Sequence, residues 1–242
     1  MQLSDEFSIV FLSEAECLTV LGTSLALENA SQHEVRHRIA AGWRSFWAMK
    51  SLLLNRRSSV KRRLKLFDST VGSCVLWCAQ SWTLRVQEIH LLRTARRSML
   101  RRIVGAARAP DEDYVCWIKP VTRKAETLAK SAGVRDWIAA HSLLKWSWAG
   151  HVACRPAKTW VWQVSAWRDS EWQGLAMEVG PSRPMRPSRR RWMKWEDSLR
   201  RFFMMEGHGN WKVMTADREK WAGMAHAYMQ SCCKSAAAVG AM

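Results

Sequence analysis

Residues 86–104, VQEIHLLRTARRSMLRRIV, decide how the rest of the chain is read. Ile89, Leu92, Met99 and Ile103 recur at helical spacing and make an apolar stripe. Arg93, Arg97 and Arg101 repeat at i, i+4 and i+8 on another face. The stretch predicts one amphipathic helix over Val86–Val104, stopped by the loop Gly105–Asp113 with its Pro110. Such a stripe needs other helices to cover it. Upstream, Asn29-Ala30-Ser31 is a cap region, and Val35, Ile39, Trp43, Phe46 and Met49 follow at helical spacing. Val60, Leu64, Phe67, Val71 and Val75 predict a helix from about Ser59 to Gln80. Downstream, shorter helices are expected near Lys124–Ser131 and Val134–Trp148. Another is expected over 191–205, with Trp192, Trp195, Leu199 and Phe202 inward, and a last one over Ala216–Met229. Ahead of them all, FSIVFL (7–12) and ECLTVL (16–21) read as a strand pair ending at Gly22. The expected fold class is therefore mainly α, a helical bundle with a short N-terminal β-hairpin and a helical C-terminal extension.

The 242 residues carry 38 Lys+Arg against 21 Asp+Glu, a net charge of +17. The sequence pI is about 10.2. A hydrophobic fraction of 48% excludes general disorder. No apolar run approaches the roughly 20 residues that a membrane helix needs, so no membrane partner is expected. The N-terminus, Met1-Gln-Leu-Ser-Asp-Glu, lacks a secretory pattern, which makes a nuclear or cytoplasmic location the expectation, not secretion. Seven cysteines without a repeating frame argue for reduced thiols over a disulfide scaffold. The charge points to a polyanion, and nucleic acid is the expected partner.

Three stretches without acids carry that expectation. The first includes Arg56, Arg57, Lys61, Arg62, Arg63 and Lys65. The second is Arg93–Arg108, with Arg93, Arg96, Arg97, Arg101, Arg102 and Arg108, of which Arg93, Arg97 and Arg101 form one edge of the central helix. The third is the Pro-rich segment 179–190 and its continuation, carrying Arg183, Arg186, Arg189, Arg190 and Arg191. Forked guanidinium donors on a helix edge suit a phosphate backbone, and a Pro/Arg arm can follow a groove or a single strand. No homeodomain, zinc-finger or RRM pattern points to sequence-specific reading. The 16 tryptophans could stack on bases, but Trp146, Trp148, Trp192, Trp195, Trp211 and Trp221 sit among apolar neighbours and are expected in the core.

Catalytic patterns are weak. His33-Glu34-Val35-Arg36-His37 matches H-E-x-x-H, which on a helix can hold zinc. Arg36 and Arg38 place positive charge beside that site, Ala40 stands where the longer motif needs Gly, and no further Glu follows until Glu88. An exposed helix face is the better reading of these residues. Cys74/Cys78 and His151/Cys154 are isolated pairs, short of the four ligands of a structural zinc site. Asp111-Glu112-Asp113 lies in a loop, and no P-loop or Rossmann glycine pattern occurs. The expectation is no catalytic residue, no metal and no cofactor.

Several patches, in chain order, resemble the region downstream of the polymerase core in non-LTR (LINE-type) retrotransposon reverse transcriptases. Val20-Leu-Gly-Thr23 is similar to Y-L-G-[ST], and Glu34-Val35-x-x-Arg38-Ile39-x-x-Gly42 to E-I-x-x-R-I-x-x-A. Lys65-Leu66-Phe67, Val71 and Val75–Leu84 are similar to K-L-x-L-F-x-x-x-V followed by L-L-Y-G-x-E-x-W-x-L. Leu100–Gly105 resembles L-R-R-I-L-G, and Trp148-Ala-Gly-His-Val152 resembles W-x-G-H-V. Arg186–Trp192 with Trp195-Glu-Asp resembles G-R-P-x-x-R-W-x-D, and Trp211, Asp217-Arg218 and Trp221 keep W-x5-D-R-x2-W.

The resemblance implies that residues 1–24 are the last palm strands and 25–109 a thumb-like bundle that holds a template–primer duplex. It implies a helical extension at 110–178, a Pro/Arg linker at 179–190, C-terminal helices at 191–230 and a frayed tail at 231–242. The H-E-x-x-H match would then lie on an ordinary thumb helix. The family's catalytic carboxylates lie in a palm [FY]-x-D-D motif, and no Asp-Asp pair occurs here. Gln80 stands for Glu and Met185 for Gly, as in a decaying copy. The expected protein is thus a non-catalytic reverse-transcriptase fragment. Its expected partners are RNA, DNA or their hybrid, together with the missing palm and fingers. The alternative is a degenerate remnant without selected function that binds polyanions by charge alone.

Overall fold

A computed structural model describes residues 17–26, 29–105, 108–156, 158–166, 194–208 and 210–239. Among these residues the fold is mainly α, with one two-stranded antiparallel sheet near the N-terminus. The chain forms two compact units, Met1–Cys78 with Leu84–Trp137, and Ala79–Thr83 with Ile138–Met242.

The first unit opens with β1 (Leu18–Val20) and β2 (Thr23–Leu25), paired in the register Leu18↔Leu25 and Val20↔Thr23. Leu21 and Gly22 both take positive φ, 48° and 81°, as a two-residue hairpin turn requires. Gly22 is thus the turn and not the strand end expected from the sequence, and residues 7–12 lie outside the described residues. Most of the hairpin is exposed, and Ser24 is its buried anchor. The Ser24 N–H donates to the Glu34 carboxylate on α1 (Ala30–Ala48), and Arg38 donates to the same carboxylate at 2.8 Å. Glu34 is therefore buried between two donors and does not sit on an exposed face.

α2 (Lys50–Leu53) and α3 (Val60–Phe67) follow, with the Ser59 hydroxyl accepting from Arg62 N–H at the start of α3. The helix expected to continue to Gln80 changes pitch. Residues Asp68–Gly72 make one wide π turn, α4 (Ser73–Val75) closes it, and Cys78 at φ 57° ends the run. Arg135 fixes the wide turn: its Nε lies 3.0 Å from Asp68 Oδ2, and its Nη2 donates to the Asp68 carbonyl at 2.9 Å. π turns of this kind relieve a register conflict that sequence periodicity does not reveal. The predicted central helix is α5, Val86–Val104. Leu92, Met99, Leu100 and Ile103 are buried in the same core as Val35, Phe46, Leu64, Phe67, Val71 and Val75. α1 approaches α4 closely at Gly42, where an added Cβ would lie 2.4 Å from Val75 Cγ2.

α6 spans Tyr114–Ser131 and begins well before the expected Lys124. Asp113 caps it, accepting from Val115 N–H at 2.8 Å and Cys116 N–H at 3.0 Å. The backbone bond from Cys116, then that from Val115, holds the Asp113 carboxyl below its ordinary range. Pro120 sits inside the helix and hides its first half from a propensity reading. α6 packs on α5, so the first compact unit runs past the loop at 105–113 to Trp137.

The second unit holds most of α7 (Trp137–Ala153), then α8 (Trp160–Ala166), α9 (Asp197–Met205), α10 (Trp211–Met214) and α11 (Arg218–Val239). α11 continues beyond the expected Met229 and includes residues 231–239. Its core is aromatic: Trp146, Phe202, Phe203, Trp211, Trp221 and Tyr228, closed by Leu199 and Ala149. Trp146 stacks on Trp221 at 3.9 Å and donates from its indole N–H to the Trp221 carbonyl.

Candidate nucleic-acid interface

The site candidates of the first unit depend on where each cation points. In the 56–65 cluster the outcome is split. Arg63 is buried, and its Nη1 donates to the Leu53 carbonyl at 3.3 Å and to the Ile103 carbonyl. Burial, and then the charge of Arg56, push its pKa down. Arg63 therefore clamps the C-terminal end of α5, where the carbonyl ends of the helix dipole favour a cation. It is unavailable to a phosphate, which corrects its expected role. Arg56 does similar work from outside, donating to the Gly105 carbonyl at 3.2 Å, but it stays exposed. Arg57, Lys61, Arg62 and Lys65 are exposed.

On α5 the arginine edge faces α6. Arg97 donates to Glu126 at 2.8 Å, and Arg101 donates to the Thr122 hydroxyl at 3.1 Å. Thr122 in turn donates to the Ile118 carbonyl. Arg97 and Arg101 share an open groove of about 480 Å³ with Lys119, Thr122, Arg123 and Glu126. Four cations thus line it against one carboxylate. Partial burial lowers the pKa of Arg101, with Tyr114 opposing and Arg97 and Arg102 adding to the effect. Crowded guanidinium groups of this kind are relieved by an anion between them. Arg93 is half-buried and is not among the groove residues. Arg102 is exposed and lies over two indoles of α1, 5.7 Å from Trp43 and 5.3 Å from Trp47.

Sequence reading missed Lys119 and Arg123, because it began the helix after both of them. The detectable signal was Asp113 two and three residues before the first free N–H groups, followed by two cations at i and i+4. Arg96, on the same helix as Arg97, is a different case. It is buried and donates to the Arg135 carbonyl at 3.2 Å, with Asp136 at 3.7 Å. Burial lowers its pKa more than Asp136 and its other carboxylate neighbours raise it. Arg183, Arg186, Arg189, Arg190 and Arg191 lie outside the described residues.

Several tryptophans of the second unit build its core, whereas Trp160 is exposed. Trp146, Trp211 and Trp221 are buried and Trp195 is half-buried, whereas Trp192 lies outside the described residues. Trp148 departs from its expected place. It is 37% exposed and stacks on His151 at 5.2 Å, because Lys145, Trp146, Ala149 and Val152 form the inward side of α7. Gly150 admits Trp221: an added Cβ would lie 2.7 Å from the indole nitrogen. Glu196 accepts from the Trp211 indole N–H at 3.3 Å, and Asp217 accepts from Lys220 N–H at the start of α11. The patches 148–152, 195–197 and 211–221 are thus mainly parts of one core.

The second unit also buries two basic groups. His141 stacks on Trp82 and lies 3.4 Å from the Trp82 carbonyl, to which Lys145 Nζ also donates. Burial and the neighbouring Lys145 charge hold His141 down at about 3. Burial brings Lys145 to about 8. Cys17 Sγ lies 3.3 Å from His33 Nδ1. Among the described residues no group of three His, Cys, Asp or Glu side chains is placed to hold a metal ion. No helix among them is long and apolar enough to cross a membrane.

No family model and no solved structure matches this chain. It is similar to an uncharacterized transposon-derived protein of Caenorhabditis elegans, 26% identical over 215 residues. The match covers 87% of this chain and 70% of that protein. The likeness is consistent with a transposon origin.

Proposed function

We propose that the chain is the thumb and downstream extension of a non-LTR retrotransposon reverse transcriptase lineage. In this reading it binds the sugar-phosphate backbone of RNA, DNA or their hybrid without sequence preference. The carrying observation is the α5–α6 groove, where Arg97, Arg101, Lys119 and Arg123 converge against Glu126 alone. The exposed cations Lys61, Arg62 and Lys65 of α3 extend the positive surface of the same unit. The transposon-derived relative and the ordered patches support the lineage. Polymerisation is assigned to palm and fingers outside these residues, because they carry no Asp-Asp pair.

A nuclear or cytoplasmic site of action goes with this proposal. The test is a salt titration of binding to a primer–template duplex, run beside an unstructured polycation of equal charge. A folded interface is expected to bind more tightly than the polycation at low salt and to lose affinity steeply as salt rises. Equal affinity with an equal salt slope favours the degenerate remnant and removes support for a thumb.

A further inference from the structure

The groove above explains phosphate contact but leaves one aromatic feature of the same unit without a role. Trp43 and Trp47 lie one turn apart on α1, with rings 6.0 Å apart and inclined by 21°. Phe46 packs edge-on against both, and the Arg102 guanidinium lies 5.3 Å from the Trp47 ring. The Trp47 indole is therefore held by its neighbours and has little freedom of its own. Even so it is 44% exposed, while Phe46 beside it is fully buried. An indole that is both held and open does less for stability than a buried one.

What lies around Trp47 suggests its ligand. The indole borders an open pocket of about 590 Å³ that it shares with Lys50, Ser51 and Asn55. Trp47, Ser51 and Asn55 line it together, which brings an aromatic ring, a hydroxyl and an amide to one opening. Lys50 supplies a flexible cation beside the indole, suited to the phosphate of a stacked base. Residues 35–67 contain no Asp or Glu, so nothing on this stretch of chain repels an anion. A fixed indole face flanked by cations and hydrogen-bonding side chains is the composition that receives an unpaired base and its phosphate.

We infer that Trp47, held by Trp43 and Arg102, is a stacking platform for one unpaired nucleotide, with Lys50 on its phosphate. This rests on the nucleic-acid reading above and adds to it. The groove would take backbone from a duplex or a single strand, whereas the platform would distinguish single-stranded ends and overhangs from fully paired ones.

The test uses the full chain with two probes, a single-stranded uridine oligonucleotide carrying 5-iodouridine and a blunt duplex. Near-ultraviolet irradiation is expected to crosslink the oligonucleotide to Trp47, located by peptide mass spectrometry. Trp47→Ala is expected to abolish that crosslink and weaken oligonucleotide binding about tenfold, with blunt-duplex affinity unchanged. Trp47→Phe keeps an aromatic face and is expected to restore most of the loss. Unchanged oligonucleotide affinity in Trp47→Ala, with duplex binding intact, overturns the platform and leaves the groove reading standing. Failure of the wild type to bind either probe at low salt overturns both. A change in sedimentation of Trp47→Ala without a change in oligonucleotide binding makes this a protein-docking face and also overturns the platform.

Discussion

The two units of the chain carry nearly the same net charge and differ in what fills their cores. The first unit has an aliphatic core around Val35, Leu64, Val71, Leu92 and Met99, and much of its charge lies outside. Its buried cations, Arg38, Arg63 and Arg96, each bond to carbonyls or carboxylates of the surrounding backbone and side chains. The second unit closes on Trp146, Trp211, Trp221 and Tyr228, and it buries His141 and Lys145 beside the Trp82 carbonyl. The difference teaches that one residue type can mean opposite things in one chain. An arginine is a clamp at 63 and a groove wall at 101. A tryptophan is core at 146 and open surface at 47.

The largest expected effect breaks the comparison on the aromatic side. Trp221→Ala removes the stack on Trp146 and should cost the second unit about 3–5 kcal/mol. Hydrogen exchange in urea should then show α9 and α11 opening while α1 and α5 stay protected. Simultaneous loss of protection in both units would overturn this expectation.

The next effect is on pH. His141 titrates near 3 when folded and near 6.5 when unfolded. Below pH 6.5 the unfolded chain takes up a proton that the folded chain refuses. Stability of the second unit should therefore fall by about 1.4 kcal/mol per pH unit as acid is added, down to about pH 3. Lys145 acts with the same sign at the other end: stability should rise as pH increases from about 8 toward 10.5. Amides of α7 should report both slopes more strongly than amides of α5.

Smaller effects sharpen the contrast within the first unit. Gly42→Ala should cost about 1–3 kcal/mol, because the new methyl meets Val75, and thermal unfolding measures it. Arg63→Gln should cost about 1–3 kcal/mol by leaving the Ile103 carbonyl without its donor. Its neighbour, in Arg62→Gln, should change stability by less than about 0.5 kcal/mol yet weaken nucleic-acid binding. If Arg63→Gln leaves stability untouched and lowers binding instead, the assignment of clamp and phosphate ligand is reversed.

These contrasts also mark how far the sequence could be read. α5 was legible to its end residues, because its stripe is regular and Gly105 stops it. A short N-terminal hairpin was legible, but its second strand, Thr23–Leu25, was not, since it returns through a turn in which Leu21 and Gly22 take positive φ. The helix after Ser59 was misread beyond Phe67, because the wide turn at Asp68–Gly72 is set by Arg135, 67 residues away in the chain. The arginine edge was found, but its partners Lys119 and Arg123 were hidden behind Pro120. Arg63 could not be told from Arg62 by composition. Their difference lies in a step of about 100° around α3, which turns one toward α5 and the other to water.

The most direct test of the central claim compares wild type with Arg97→Gln/Arg101→Gln/Lys119→Gln/Arg123→Gln on one primer–template duplex across a range of salt. The groove reading predicts weaker binding and a log affinity–log salt slope shallower by about 3.6, since each of the four phosphates that these cations would neutralise adds about 0.9 to that slope. An unchanged slope in a variant that keeps its helical content would contradict it.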